Sequence, residues 1–67
     1  MIRICLDRTL VRCGVSRYEL AKRTGIQYHI IDNYYKNKGK RYDGAVLERI
    51  CAALDCSIGD VLEYVKE

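Results

Sequence analysis

No proline, tryptophan or phenylalanine occurs in this chain of 67 residues. The missing proline excludes polyproline tracts and Pro-rich linkers, and no other stretch is of low complexity. Six tyrosines are the only aromatic side chains, so each large ring carries a polar tip suited to a core edge or an interface. Cys5 and Cys13 stand eight apart, Cys51 and Cys56 five apart, and the only histidine, His29, is distant from all four in sequence. With no CxxC pair the usual zinc spacings are absent, and no disulfide framework is recognisable. No signal-peptide pattern and no apolar run long enough to span a bilayer is present. Four free thiols then fit a reducing cytoplasm, the expected location, with no membrane contact.

A lone histidine also limits the chemistry. General acid–base or nucleophilic work at His29 needs a partner group, and its segment offers only Asp32, three residues on. Such a pair reads as a surface hydrogen bond. The expectation is no enzymatic activity, no catalytic residue, no bound metal and no cofactor. Cys13 and Cys51 fall on apolar stripes and read as small core hydrophobes, whereas Cys5 and Cys56 lie near element ends.

What the chain does have is a lopsided charge. The net value is only +3, yet residues 1–41 hold ten Lys/Arg against three Asp/Glu, and residues 42–67 hold two against six. A basic half of this kind is the electrostatic footprint of a phosphate-backbone partner. The length allows one domain, residues 1–67, with a modest core.

The stretch from Ser16 to Tyr35, SRYELAKRTGIQYHIIDNYY, organises the rest. Ser16 followed by Glu19 predicts a capping box and a helix start. Thr24-Gly25 predicts its end, glycine supplying the left-handed backbone of a sharp turn. A second helix is predicted from about Gln27 to Lys36. Its inner face carries Ile31, Tyr34 and Tyr35, and its outer face Tyr28, His29, Asp32 and Asn33. Two helices joined by a tight turn, the second offering hydrogen-bonding side chains outward, suggest a DNA-reading unit. The polar segment after it, KNKGKRYDG, carries Lys36, Lys38, Lys40 and Arg41 with no acid before Asp43, and reads as a phosphate clamp.

Around that unit, MIRI at the start alternates apolar and polar residues like a short strand, and Leu6, Leu10 and Cys13 set a helix over about Cys5 to Cys13. Val15 precedes the Ser16 cap, placed for a staple onto Leu20. Small Ala21 allows close helix crossing, and Ile26 plugs the turn. Leu47, Ile50, Cys51 and Leu54 set a fourth helix from about Gly44 to Leu54. Ser57 with Asp60 caps a fifth, in which Ile58, Val61, Leu62 and Val65 repeat the spacing. MIRI and the EYVKE tail both have strand character and are able to pair within or between subunits.

The motif YELAKRTGI, with Leu20, Ala21, Gly25 and Ile26 in register and Ile31 and Tyr34 following, resembles the Cro/CI-type (XRE-type) helix-turn-helix DNA-binding domains. LERICAALDCSIGDVLEY resembles the last two helices of small regulators in that family. The resemblance implies an all-α bundle of five short helices with the helix-turn-helix at helices 2 and 3, besides any short terminal strands. It also implies a sequence-specific transcription regulator, here expected to be a repressor, that binds double-stranded DNA as a homodimer. Carried over by position, Arg17 and Gln27 would contact phosphate, together with Lys36, Lys38, Lys40 and Arg41. Tyr28, His29, Asp32 and Asn33 would face the groove. Many members join helix 1 to the end of helix 3 by an Arg–Glu pair, and Leu10 and Tyr35 stand at those places in this chain. No small-molecule ligand is evident. The rival expectation is a protein-interaction module of the same fold, such as an antitoxin-like or co-regulator subunit, with tyrosines on helix 3 docking a protein.

Overall fold

The computed structural model describes residues 1–38 and 42–66. In chain order it runs β1 (Ile2–Ile4), α1 (Leu6–Cys13), α2 (Arg17–Thr24), α3 (Tyr28–Tyr35), α4 (Gly44–Leu54), a 3₁₀ turn (Ile58–Asp60) and β2 (Leu62–Tyr64). Among the described residues there are four α-helices, not the five expected. The Ser57–Asp60 capping box does form, but the helix it opens lasts three residues.

Competition for backbone partners explains the difference. Val61 is fully buried in the core, and its carbonyl accepts from the Cys5 N–H at 2.6 Å. Beyond it Leu62, Glu63 and Tyr64 pair antiparallel with Ile4, Arg3 and Ile2. The apolar positions 58, 61, 62 and 65 fit helical spacing, yet the inner edge of β1 presents donors and acceptors that a second strand satisfies together. The expected pairing of MIRI with the tail occurs within the chain.

The helices pack Leu6, Leu10, Leu20, Ile26, Ile31, Tyr34, Leu47, Ile50 and Leu54 into one core, which Ile4 and Val61 close from the sheet side. Buried Thr9 donates its hydroxyl proton to the Asp60 carbonyl. The expected core place of Cys13 is not taken: it is exposed. Gly14 turns the chain with φ 67°, and Val15 packs against the core beyond it, so the cysteine is left on the outer end of α1. The α2 cap is half of the expected box. The Glu19 N–H donates to Ser16 Oγ at 3.0 Å, while the Glu19 carboxylate pairs with Arg23 instead.

Asn37, two residues past the end of α3, takes φ 58°. Its side-chain amide donates to the Ile4 carbonyl at 2.9 Å and accepts from the Ile4 N–H at 2.7 Å. It thereby stands in for a third strand on the outer edge of β1. Asn37→Ala removes both partners from a residue only 1% exposed and puts a Cβ-bearing residue without a local hydrogen bond in the left-handed region. The expected loss is about 1–3 kcal/mol for the stranded groups, read as a lower urea midpoint, with faster amide exchange at Ile4.

Candidate nucleic-acid interface

The helix-turn-helix depends on a few local decisions. The Gly25 N–H donates to the Ala21 carbonyl at 2.9 Å with φ 72°. The Thr24 hydroxyl donates to the Leu20 carbonyl at 2.8 Å and accepts from the Ile26 N–H at 3.2 Å. The turn is therefore hydrogen-bonded on both sides, and Ile26 is buried beneath it. Ile31 at 0% exposure and Tyr34 at 9% fix the rotation of α3 about its axis. That rotation leaves Tyr28, His29 and Asn33 exposed on the outer face. Gln27 is the N-cap residue and is exposed, with its side chain making no cap hydrogen bond.

Asp32 is differently placed from its neighbours. Arg17, the first residue of α2, sets Nη1 2.5 Å from Asp32 Oδ1, and Lys36 sets Nζ 3.1 Å from Oδ2. Both carboxylate oxygens therefore face cations. Lys36 first, and Arg17 with it, hold the carboxyl below its usual range against the opposing effect of desolvation. The Arg17 guanidinium also lies 4.3 Å from the centre of the Tyr35 ring, a cation–π contact. Two loci thus hold one arginine: a carboxylate on its side and an aromatic face beneath it. The sequence pointed to each of these residues separately. The Arg17–Asp32 link is a tertiary contact between helices, which no spacing rule reports.

Leu10 and Tyr35 line one shallow cavity of ≈ 360 Å³ with Asp7, Val11, Gly14, Val15, Ser16 and Arg17. Tyr35 thus gives its ring face to Arg17, and Leu10 belongs to the core.

Beyond α3 the chain is tied down at both ends of the basic segment. Asn37 binds Ile4 as described, and the Asp43 N–H donates to the Tyr34 hydroxyl at 2.8 Å. Tyr34 and Tyr42 meet edge-on with centroids 6.4 Å apart. Lys38 is exposed on the near side of this segment; Lys40 and Arg41 lie outside the described residues. The sequence reading placed Tyr34 on the inner face of its helix but gave its hydroxyl no partner, and it did not single out Asn37, whose partner Ile4 is distant in the chain. Exposed Tyr18, beside Arg17 on α2, was missed too.

The Cro/C1-type HTH DNA-binding domain matches residues 6–67. The chain belongs to the Cro/C1-type helix-turn-helix family. It is also similar to a Bacillus subtilis (strain 168) protein named "Uncharacterized HTH-type transcriptional regulator YozG", with 38% identity over 61 residues, spanning 91% of this chain and 73% of the relative. As a member of the family, the chain carries an HTH DNA-binding domain. Among the described residues, no helix is long and apolar enough to cross a membrane, and no three His, Cys, Asp or Glu side chains cluster to hold a metal ion.

Proposed function

We propose that this protein is a sequence-specific transcription regulator, a repressor, that binds double-stranded DNA as a homodimer with α3 of each subunit in the major groove. The observation that carries the reading is the exposed trio Tyr28, His29 and Asn33 on a helix whose rotation is fixed by buried Ile31 and Tyr34. Arg17, Lys36 and Lys38 flank that face with positive charge. The name of the B. subtilis relative supports a regulatory role.

Within this reading, Arg17, Lys36, Lys38, Lys40 and Arg41 contact phosphates, with Gln27 at the start of α3 beside them. Phosphate contacts set register, and base edges carry sequence. Asn33 has the amide geometry that pairs both donor and acceptor with adenine, while Tyr28 and His29 offer single hydrogen bonds. Asp32 stands on the same face, with its oxygens turned to Arg17 and Lys36. A two-fold dimer places its half-sites about one turn of DNA, ~34 Å, apart. Binding-site selection from random duplexes tests the whole: a palindromic site with that spacing is expected, and failure to shift any duplex at low salt defeats the reading. Asn33→Ala is expected to cost ~1–3 kcal/mol at a single base position and to relax selection there alone.

The exposed rings of Tyr18, at 69%, and Tyr28, at 45%, favour a second reading, in which the same face docks a protein. Salt separates the two, because a mainly apolar tyrosine interface lacks the steep salt dependence of phosphate binding.

A further inference from the structure

Cys51 and Cys56 are five positions apart and match no spacing rule for paired thiols, but the end of α4 brings them together. Asp55 takes φ 50° and donates its N–H to the Ala52 carbonyl at 3.4 Å, and the Cys56 N–H donates to the Cys51 carbonyl at 3.1 Å. This pair of bonds is a Schellman cap, in which the residue after the left-handed position folds its side chain back onto the residue five earlier. The chain contains its own control for that geometry. At the end of α1 the same bonds run from Gly14 to Val11 and from Val15 to Leu10, and there Leu10 and Val15 line one cavity. At the end of α4 the two residues so joined are both cysteines. Both are free and half-buried, and both pack against the core.

We propose that Cys51 and Cys56 are a dithiol modification site that closes to an intramolecular disulfide by exchange with a small-molecule disulfide. The Cys51 thiolate attacks the small disulfide, forms a mixed disulfide and expels one thiolate. The Cys56 thiolate then attacks the Cys51 sulfur and expels the second. Two protons pass from the protein thiols to the two small thiols, so the small disulfide is reduced as the protein pair is oxidised.

The surroundings shape the kinetics. Burial, then the neighbouring Cys51, push the Cys56 thiol up to about 11, with Asp60 and Cys13 adding to the rise. Arg12 on α1 faces the same corner and pairs with Asp60 at 3.2 Å. Two causes of the Cys56 rise act through Cys51 itself and are lost once Cys51 is capped in the mixed disulfide. Burial remains and holds the Cys56 thiol above its ordinary range, so little of it is ionised at pH 7, and the thiolate is the reactive form. Closure is therefore slow near neutrality, and its rate climbs through the range where an ordinary thiol of pKa ~8.5 has levelled off. A thiol this basic is also a poor leaving group, so reductive attack on Cys51 that would expel Cys56 is slow.

The test treats the folded protein with glutathione disulfide and maps the products after trypsin. Cleavage after Arg49 and Lys66 leaves Cys51 and Cys56 on one peptide and Cys13 on another. The expected product is the 50–66 peptide lighter by two hydrogen atoms. Its rate of formation should rise about tenfold per pH unit from 7 to 9 when closure by Cys56 limits, and Cys13→Ser should leave it unchanged. Cys51→Ser and Cys56→Ser, each checked for helix content by circular dichroism, should accept glutathione at the remaining thiol but form no crosslink. The proposal is overturned if Cys13 is linked to either residue, if covalent dimers form instead, or if the intramolecular product appears only in urea. Wild-type mapping alone decides among these, whether or not the serine variants fold.

Discussion

Replacing Ile31 by alanine is expected to lower stability by about 2–5 kcal/mol. The side chain is 0% exposed and sits where α3 meets the core, and the cost combines lost transfer energy with the cavity left behind. Stabilities run on the order of 0.05–0.15 kcal/mol per residue, so for a chain of 67 residues this change removes a large part of the total. Urea unfolding followed by circular dichroism should show the midpoint collapsing or the native baseline disappearing. Val11→Ala is the matching control: Val11 is 81% exposed, and exposed substitutions usually stay within about 0.5 kcal/mol. An Ile31→Ala variant as stable as the wild type would mean that α3 is not anchored through this residue. The rotation that exposes Tyr28, His29 and Asn33 would then lack its cause.

The second large effect concerns salt. A variant with Arg17→Ala, Lys36→Ala and Lys38→Ala loses three cations per subunit, or about six phosphate contacts per dimer under the proposed function. With Lys40 and Arg41 the wild-type dimer makes about ten such contacts, which correspond to an affinity loss of about 10⁵ between 50 and 200 mM salt. The triple variant should bind far more weakly at low salt and show a shallower dependence, the roughly four contacts left to Lys40 and Arg41 giving a loss of about 10² over the same range. Fluorescence anisotropy with a labelled duplex at four salt concentrations measures both. Arg17 and Lys36 have side chains 34% and 47% exposed, so their removal should leave the far-ultraviolet spectrum unchanged. A wild-type slope near zero would instead favour protein docking through the tyrosines.

Local signals in the sequence carried much of this structure. Ser16, Gly25 and the spacing of Leu47, Ile50 and Leu54 marked elements whose hydrogen bonds are satisfied within a few residues, and the helix boundaries follow them closely. Where the determining contact is distant, the reading fell short. Ile58, Val61, Leu62 and Val65 fit a helix by spacing, but the demand of β1 for a partner nearly sixty residues away turned Leu62–Tyr64 into a strand. Asp32 looked like one more outward polar group, because Arg17 reaches it only after α2 and α3 pack. Cys51 and Cys56 were read singly because pairing rules for cysteine count sequence spacing. A left-handed residue at Asp55 changes which positions are neighbours.

The two-stranded sheet has a consequence for the order in which the chain folds. The Met1 amino group donates to the Val65 carbonyl across 64 positions, and the Val65 N–H returns a bond to Met1 at 2.7 Å. Closing a loop of that length early is costly in chain entropy, and nothing rewards it until the intervening helices have collapsed. The helical turns therefore form first, and the ladder between the two ends is the closing step. The ends are held side by side, and fraying one strips the other of its partner, so the sheet opens as a unit. The Asn37 amide, reaching Ile4 from the end of α3, ties that late step to the helix that carries Tyr28, His29 and Asn33.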